Sequence, residues 1–214
     1  MTDRPSPRIS SRKLPKQARS NELVTAILEA AAQVLAAEGA QRFTTARVAE
    51  KAGVSIGSLY QYFPNKAAIL FRLQSDEWQQ TSNLLSGILN DATLPPPDRL
   101  RRLVHAFLQS EYEEAAMRVA LDDAAPLYRN APEARQARGS VELTVQVFLR
   151  EAAPQASDAT RAVAGELITT ALGTLGKHFS EKAQTPVEIN TYADAMADMF
   201  CAYLDRLGQV LSTE

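Results

Sequence analysis

The chain has 214 residues, 45% of them hydrophobic and 22% charged, with a formal net charge of −2 and a single cysteine, Cys201. This is an ordinary globular composition, long enough for one large or two small domains with proper cores, and one cysteine excludes an intrachain disulfide framework and fits a reducing compartment. The net charge hides a division: the first 66 residues carry ten Lys or Arg against five Asp or Glu, and the remainder thirteen against twenty. Such asymmetry points to a polyanion-binding part joined to another part, or else to a basic tail without a task.

In chain order, residues 1–15 hold Pro5, Pro7 and Pro15 among Ser and Arg and read as a disordered basic arm. The amino terminus has no apolar h-region, which argues against a secretory signal, and the most apolar stretch, residues 26–37, is too short and too polar to span a bilayer. A cytoplasmic chain with no membrane contact is expected. A first helix begins between Pro15 and Ser20 and carries Leu23, Ile27, Ala30, Val34 and Leu35 on one stripe, with Gly39 as its stop. Thr44 or Thr45 can cap a second helix that Gly53 ends, and Ser55 can cap a third. Phe63 precedes Pro64, which disfavours continuing there, and Asn65 can cap a fourth helix to about Leu89. That helix has two apolar stripes, one with Ile69, Leu70, Leu73 and Leu84 and another with Phe71, Trp78 and Leu85, as a connector between two domains would. Beyond the turn at residues 93–97, helices are expected near 97–115, 119–128, 132–152, 158–180 and 187–211. The fold class is all-α, with about nine helices.

The segment GVSIGSLYQYFPNK, residues 53–66, asks for an explanation beyond stability, because Gly57 falls inside the third helix, where glycine costs about 1 kcal/mol relative to Ala. At about 100° per residue, Leu59, Phe63 and Ile56 form an apolar face, and Gly57, Ser58 and Gln61 lie opposite, flanked by Tyr60 and Tyr62. Two short helices joined by a tight turn, AGVS, make a helix-turn-helix, whose second helix enters the major groove of DNA. Gly57 and Ser58 then leave no bulk at the closest approach, Gln61 can read base edges, and the Tyr60 and Tyr62 hydroxyls can reach phosphates or bases. Lys66, unfavourable at a helix start, becomes favourable once a phosphate binds there.

The stretch QRFTTARVAEKAGVSIGSLYQYFPNKAAIL resembles the amino-terminal domain of the TetR family of bacterial transcriptional regulators. The resemblance covers residues 16 to about 72 and implies a helix-turn-helix domain over 16–66 and a helical effector-binding and dimerisation domain over 67–214. It also implies a homodimer on double-stranded, palindromic operator DNA, with a small-molecule effector in the larger domain. Carried over position by position, Thr44, Thr45 and Arg47 contact phosphates or the groove edge. Ser55, Ile56, Gly57, Ser58, Gln61 and Tyr62 fall in the reading region, and Tyr60 and Lys66 on the backbone. The wheel sets Ile56 near the buried arc, whereas the family aims it at the groove, where an apolar residue can contact a thymine methyl.

In the larger domain Glu111 interrupts the apolar stripe of Leu100, Val104, Leu108 and Ala115. It is either paired with an arginine such as Arg118 or Arg150, or a polar group of the effector site. Tyr112 and His105 share its helix. His178 lies in an apolar helix as a core histidine or a ligand contact, and Trp78 and Tyr128 are packing residues or pocket walls. The helices near 158–180, thinned by Ala164, Gly165, Gly173 and Gly176, and near 187–211, with Tyr192, Met196, Met199, Phe200 and Tyr203, are expected to form the dimer surface. With two histidines, no metal-ligand cluster, no phosphate loop and no GxSxG segment, neither catalysis, a metal nor a cofactor is expected. The function read from the sequence is a repressor released from its operator by a small molecule. The alternatives are a regulator controlled by a protein partner or by abundance, and an activator.

Overall fold

The computed structural model describes residue 9 and residues 18–128, 143–182 and 185–209. Among these residues there are nine α-helices, one short 3-10 turn and no strand, so the all-α expectation holds. In order they are α1 (Ala18–Arg42), α2 (Thr45–Lys51), α3 (Ile56–Tyr62), α4 (Lys66–Leu89), α5 (Pro96–Glu113) and α6 (Ala115–Ala124). After the 3-10 turn Ala125–Leu127 come α7 (143–152), α8 (Asp158–Ser180) and α9 (Pro186–Gln209). The first part of the helix expected over 132–152, and all of the arm except Ile9, lie outside the described residues. Ile9 itself is buried with the amino-terminal core.

The chain divides into two compact units, Met1–Trp78 with Ala116–Ala137, and Gln79–Ala115 with Arg138–Glu214. The core of the first is built from Ile27 and Leu35 of α1, Val48 of α2, Leu59 and Phe63 at α3, Ile69 and Leu70 of α4, and Leu121 of α6. Length and composition alone would let α1 pass for a membrane span, but Val24, Ile27, Ala31, Val34 and Leu35 are spent on this core. The core of the second joins Leu85 and Leu89 of α4, Leu100, Val104 and Leu108 of α5, Phe148 and Leu149 of α7, Ile168 and Leu172 of α8, and Met196 and Phe200 of α9. α4 thus serves two cores, one at each end of the helix, and not one stripe to each: Phe71 of the second stripe packs on the first core with Ile69, Leu70 and Leu73.

The stops and caps follow local chemistry. At Gly39 the backbone takes φ 73° and ψ 170°, which breaks α1 one turn before its end. Ser157 caps α8, accepting from the Thr160 N–H at 3.1 Å. Thr185 and Glu188 cap α9 reciprocally: the Glu188 carboxylate accepts from the Thr185 N–H at 2.7 Å, and the Glu188 N–H donates to the Thr185 hydroxyl at 3.3 Å. The glycines of α8 serve the chain's own packing more than expected. A Cβ on Gly165 would lie 3.1 Å from Leu149 Cδ1, and one on Gly176 would lie 3.0 Å from Phe107, so these two let α7 and α5 approach; only Gly173 has open space. On α9, likewise, Met196 and Phe200 are buried, leaving Met199 half-exposed.

Candidate nucleic-acid interface

The helix-turn-helix is set by three local devices. Thr44 caps α2, its hydroxyl accepting from the Arg47 N–H at 3.3 Å. Gly53, at φ 67°, closes α2 with paired bonds, Val54 N–H to Ala49 O at 3.0 Å and Gly53 N–H to Glu50 O at 3.1 Å. That pairing is a Schellman ending, which needs a left-handed residue where Gly53 stands. Ser55 then caps α3, accepting from the Ser58 N–H at 3.0 Å. Leu59 and Phe63 anchor α3, both at most 1% exposed, each burial stabilising by roughly 1.5–3 kcal/mol.

What remains outward on α3 is a contiguous arc of Ile56, Tyr60, Gly57 and Gln61, all exposed. The expectation of two tyrosines flanking the polar face holds for Tyr60, 40% exposed, and fails for Tyr62, which is 7% exposed and packed in the core. Tyr62 and Phe63 lie on opposite sides of Leu59, so burying both rotates the helix and brings Ile56, at 42% exposure, to the surface. Gly57 is required by nothing inside the chain: a Cβ there would meet only the Ser55 hydroxyl, at 3.8 Å. The Tyr60 hydroxyl is held by the Thr45 hydroxyl at 3.0 Å, tying α3 to α2. Ser58 shares its hydroxyl with Ser55 at 2.8 Å and is half-buried. Lys66 is exposed at the first residue of α4, where Asn65 caps the helix through the Ala68 N–H at 2.9 Å. Arg47 is half-exposed but paired with Glu38 of α1, and it also donates to the Arg42 carbonyl at 3.3 Å. Sequence reasoning missed the Glu38 partner because nothing in spacing links the end of α1 to the face of α2.

Two family descriptions match this chain. Residues 27–73 match the amino-terminal model described as bacterial regulatory proteins, tetR family, and residues 95–207, more than half the chain, match a tetracyclin repressor-like C-terminal domain. The chain belongs to the TetR family. It is therefore a DNA-binding transcriptional regulator of TetR type, and the α2–α3 pair is the helix-turn-helix of that family. The nucleoid occlusion factor SlmA of Vibrio campbellii is 39% identical over 85 residues, covering 38% of this chain and 42% of that protein. The matched region thus spans less than half the length of such curated relatives. Among solved structures, the fatty acid degradation regulator FadR from Bacillus halodurans superposes with a TM-score of 0.65 at 18% identity, over 92% of this chain and 99% of that one. The TetR family regulator PfmR from Thermus thermophilus does so with 0.66 at 21% identity, over 82% and 97%. At these identities the likeness is one of fold.

The residues proposed from sequence for an effector are divided between the two units. Tyr128 is buried in the first unit, its hydroxyl donating to the Leu121 carbonyl at 3.1 Å and its ring 5.6 Å from that of Phe71. Trp78, half-buried, ends the first unit. In the second unit His105 bonds Asp194 of α9 at 2.9 Å. His178 is a surface residue, its side chain 68% exposed and 4.0 Å from Glu181, and so is not a core histidine. Glu111 is buried, as its place in the stripe predicted, and faces α8 at Gly176, while Tyr112 beside it is half-buried. Arg118, one suggested partner of Glu111, pairs with Glu77 at 2.5 Å. An apolar cavity lies among α4, α5, α7 and α8 of the second unit. It is a cavity of about 30 Å³ lined by Leu85, Leu103, Phe148, Ile168 and Leu172 among other apolar residues, with Thr169 the one polar side chain. The Thr169 hydroxyl is occupied, donating to the Gly165 carbonyl at 2.7 Å. No sequence signal marked this space, since every residue around it also reads as ordinary core.

Proposed function

We propose that the chain is a ligand-responsive repressor that binds a palindromic operator as a homodimer in the cytoplasm and is released by a small apolar molecule. In this reading Gly57 and Gln61 face the bases, and Thr44, Thr45, Tyr60 and Lys66 face phosphates. The observation that carries the ligand response is the apolar cavity of the second unit, whose lining offers no charge and only one hydroxyl, its proton already donated. A pocket of that chemistry selects neutral hydrocarbon, and an occupant wider than about 30 Å³ shifts the domain toward a state in which those helices stand further apart. The homodimer is supported by exposed, uncharged rows on α8 (Ala159, Val163, Leu167, Thr170, Thr174) and α9 (Ala195, Met199, Ala202). Val163 is 62% and Leu167 52% exposed, which a lone chain gains nothing from. Catalysis has no place in this reading.

The test is fluorescence anisotropy on the chain's selected operator, titrated with a panel of neutral apolar compounds, with melting temperature followed in parallel. Release of DNA by a compound that also raises the melting temperature supports the reading; a panel that does neither refutes the ligand response. The cavity's volume favours a second reading in that event. At about 30 Å³ it is far below the roughly 300–1,000 Å³ of a drug-sized site, as a regulator governed by a protein partner or by abundance would have.

A further inference from the structure

We infer that Ile56 is a specificity residue that reads the 5-methyl group of a thymine in each half of the operator. This rests on the reading that α3 lies in the major groove of a palindromic site. Ile56 opens α3, is 42% exposed and is no member of the core cluster, which takes Leu59 and Tyr62 from that helix and Phe63 from its end. A β-branched residue at that place gains nothing in helix propensity either. Within the outward arc the chemistry is divided among four positions. Gly57 has no side chain, Gln61 offers an amide, and the Tyr60 hydroxyl is already bonded to Thr45 at 3.0 Å. Ile56 is therefore the purely apolar surface the arc presents.

The floor of the major groove holds donors and acceptors at every base pair, and one apolar group, the methyl of thymine. An isoleucine pressed against a polar base edge would strip it of water and return no hydrogen bond, a cost. Against the methyl it removes apolar surface from water on both sides, a gain. The neighbouring glycine adds to this, because the space beyond Gly57 is open to 4 Å apart from the Ser55 hydroxyl, so the helix can descend until Ile56 reaches the floor. By one methyl's transfer value the discrimination is about fourfold at each half-site.

The experiment uses the full chain and an operator obtained by selection from random duplex DNA. Each thymine of a half-site is replaced in turn by deoxyuridine, which removes the methyl and keeps the pairing, and affinity is read by anisotropy. One thymine position, repeated symmetrically in the other half, is expected to lose about fourfold. Ile56→Ala, a surface change whose fold is checked by circular dichroism, is expected to bind thymine and deoxyuridine operators equally there. If the natural chain is indifferent to every such replacement, or if Ile56→Ala keeps the full thymine preference, the inference is overturned while DNA reading by α3 stands. If no sequence is selected at all, the underlying reading falls with it.

Discussion

Gly39→Ala and Gly87→Ala make the same chemical change and are expected to move stability in opposite directions. Neither new methyl group meets an atom within 4 Å, so contact energy is removed from the comparison and only the backbone decides. At Gly39 the angles, φ 73° and ψ 170°, fall in a region that only glycine populates freely, and holding an alanine there costs about 1–3 kcal/mol. Against this, alanine narrows the unfolded ensemble and returns about 0.4–1 kcal/mol. The net loss is roughly 0–2.6 kcal/mol, which for a chain of this size lowers the melting temperature by up to about 10 °C. Gly87 sits in α4 with no positive φ, so there alanine is expected to raise it by about 1–4 °C. Gly39 belongs to the first unit together with Trp78, the single tryptophan, so emission from Trp78 follows the melting of the unit concerned. Circular dichroism at 222 nm follows the whole chain. A stabilising Gly39→Ala, with Gly87→Ala behaving as expected, would show that the break in α1 relaxes freely and that the glycine is not required.

Removing the carboxylate that holds Arg47, by Glu38→Gln, is expected to change thermal stability by less than about 1 kcal/mol, since both groups are partly exposed. The same variant should steepen the salt dependence of DNA binding by up to about one counterion, read from anisotropy across a salt series; an unchanged slope would place Arg47 out of reach of the phosphates. Lys66→Ala should weaken all sequences alike and flatten that slope by about one, whereas Gln61→Ala should mainly erode discrimination between operators. The Glu188 carboxyl is held below its ordinary value of 4.5 by the Thr185 backbone N–H first and the Thr185 hydroxyl second. Its contribution is therefore full above that ordinary value and is lost as pH falls through the lowered one. The stability difference between the natural chain and Glu188→Gln should shrink from about pH 6 to about pH 3, and a constant difference would contradict the reciprocal cap.

Much of the helix-turn-helix was legible because its determinants are local. Thr44, Ser55 and Asn65 each cap the helix that follows through a bond to a residue three positions on, and Gly53 takes the left-handed turn its place required. Which way α3 faces was not legible. Ile56 and Tyr62 lie about equally far from Leu59 on the wheel, and only packing in the core of the first unit decides that the larger ring goes in. The second unit was harder for the same reason. Gly165 and Gly176 signal a close approach, but sequence cannot name the neighbour, which proves to be α7 and α5. Glu111 was recognised as an anomaly and is buried, whereas His178, read from the apolar company of Leu172 and Leu175, turns outward because the helix presents its other side to the core.

One buried cation bears on how sensitive such a regulator can be. Arg99, 2% exposed at the start of α5, donates to the Leu89 carbonyl at 2.7 Å at the end of α4, pairs with Glu151 of α7, and lies 5.7 Å from the centre of the Phe148 ring. Leu89 and Phe148 also wall the apolar cavity, so a single guanidinium staples together the helices an occupant would have to part. Stretching that staple is work set against every molecule that enters, whatever its shape. If the proposed ligand response holds, Arg99 sets a threshold rather than a preference. In a ligand-responsive repressor, substitution at this one position would retune the dose response from behind the cavity wall, without altering a residue that lines it.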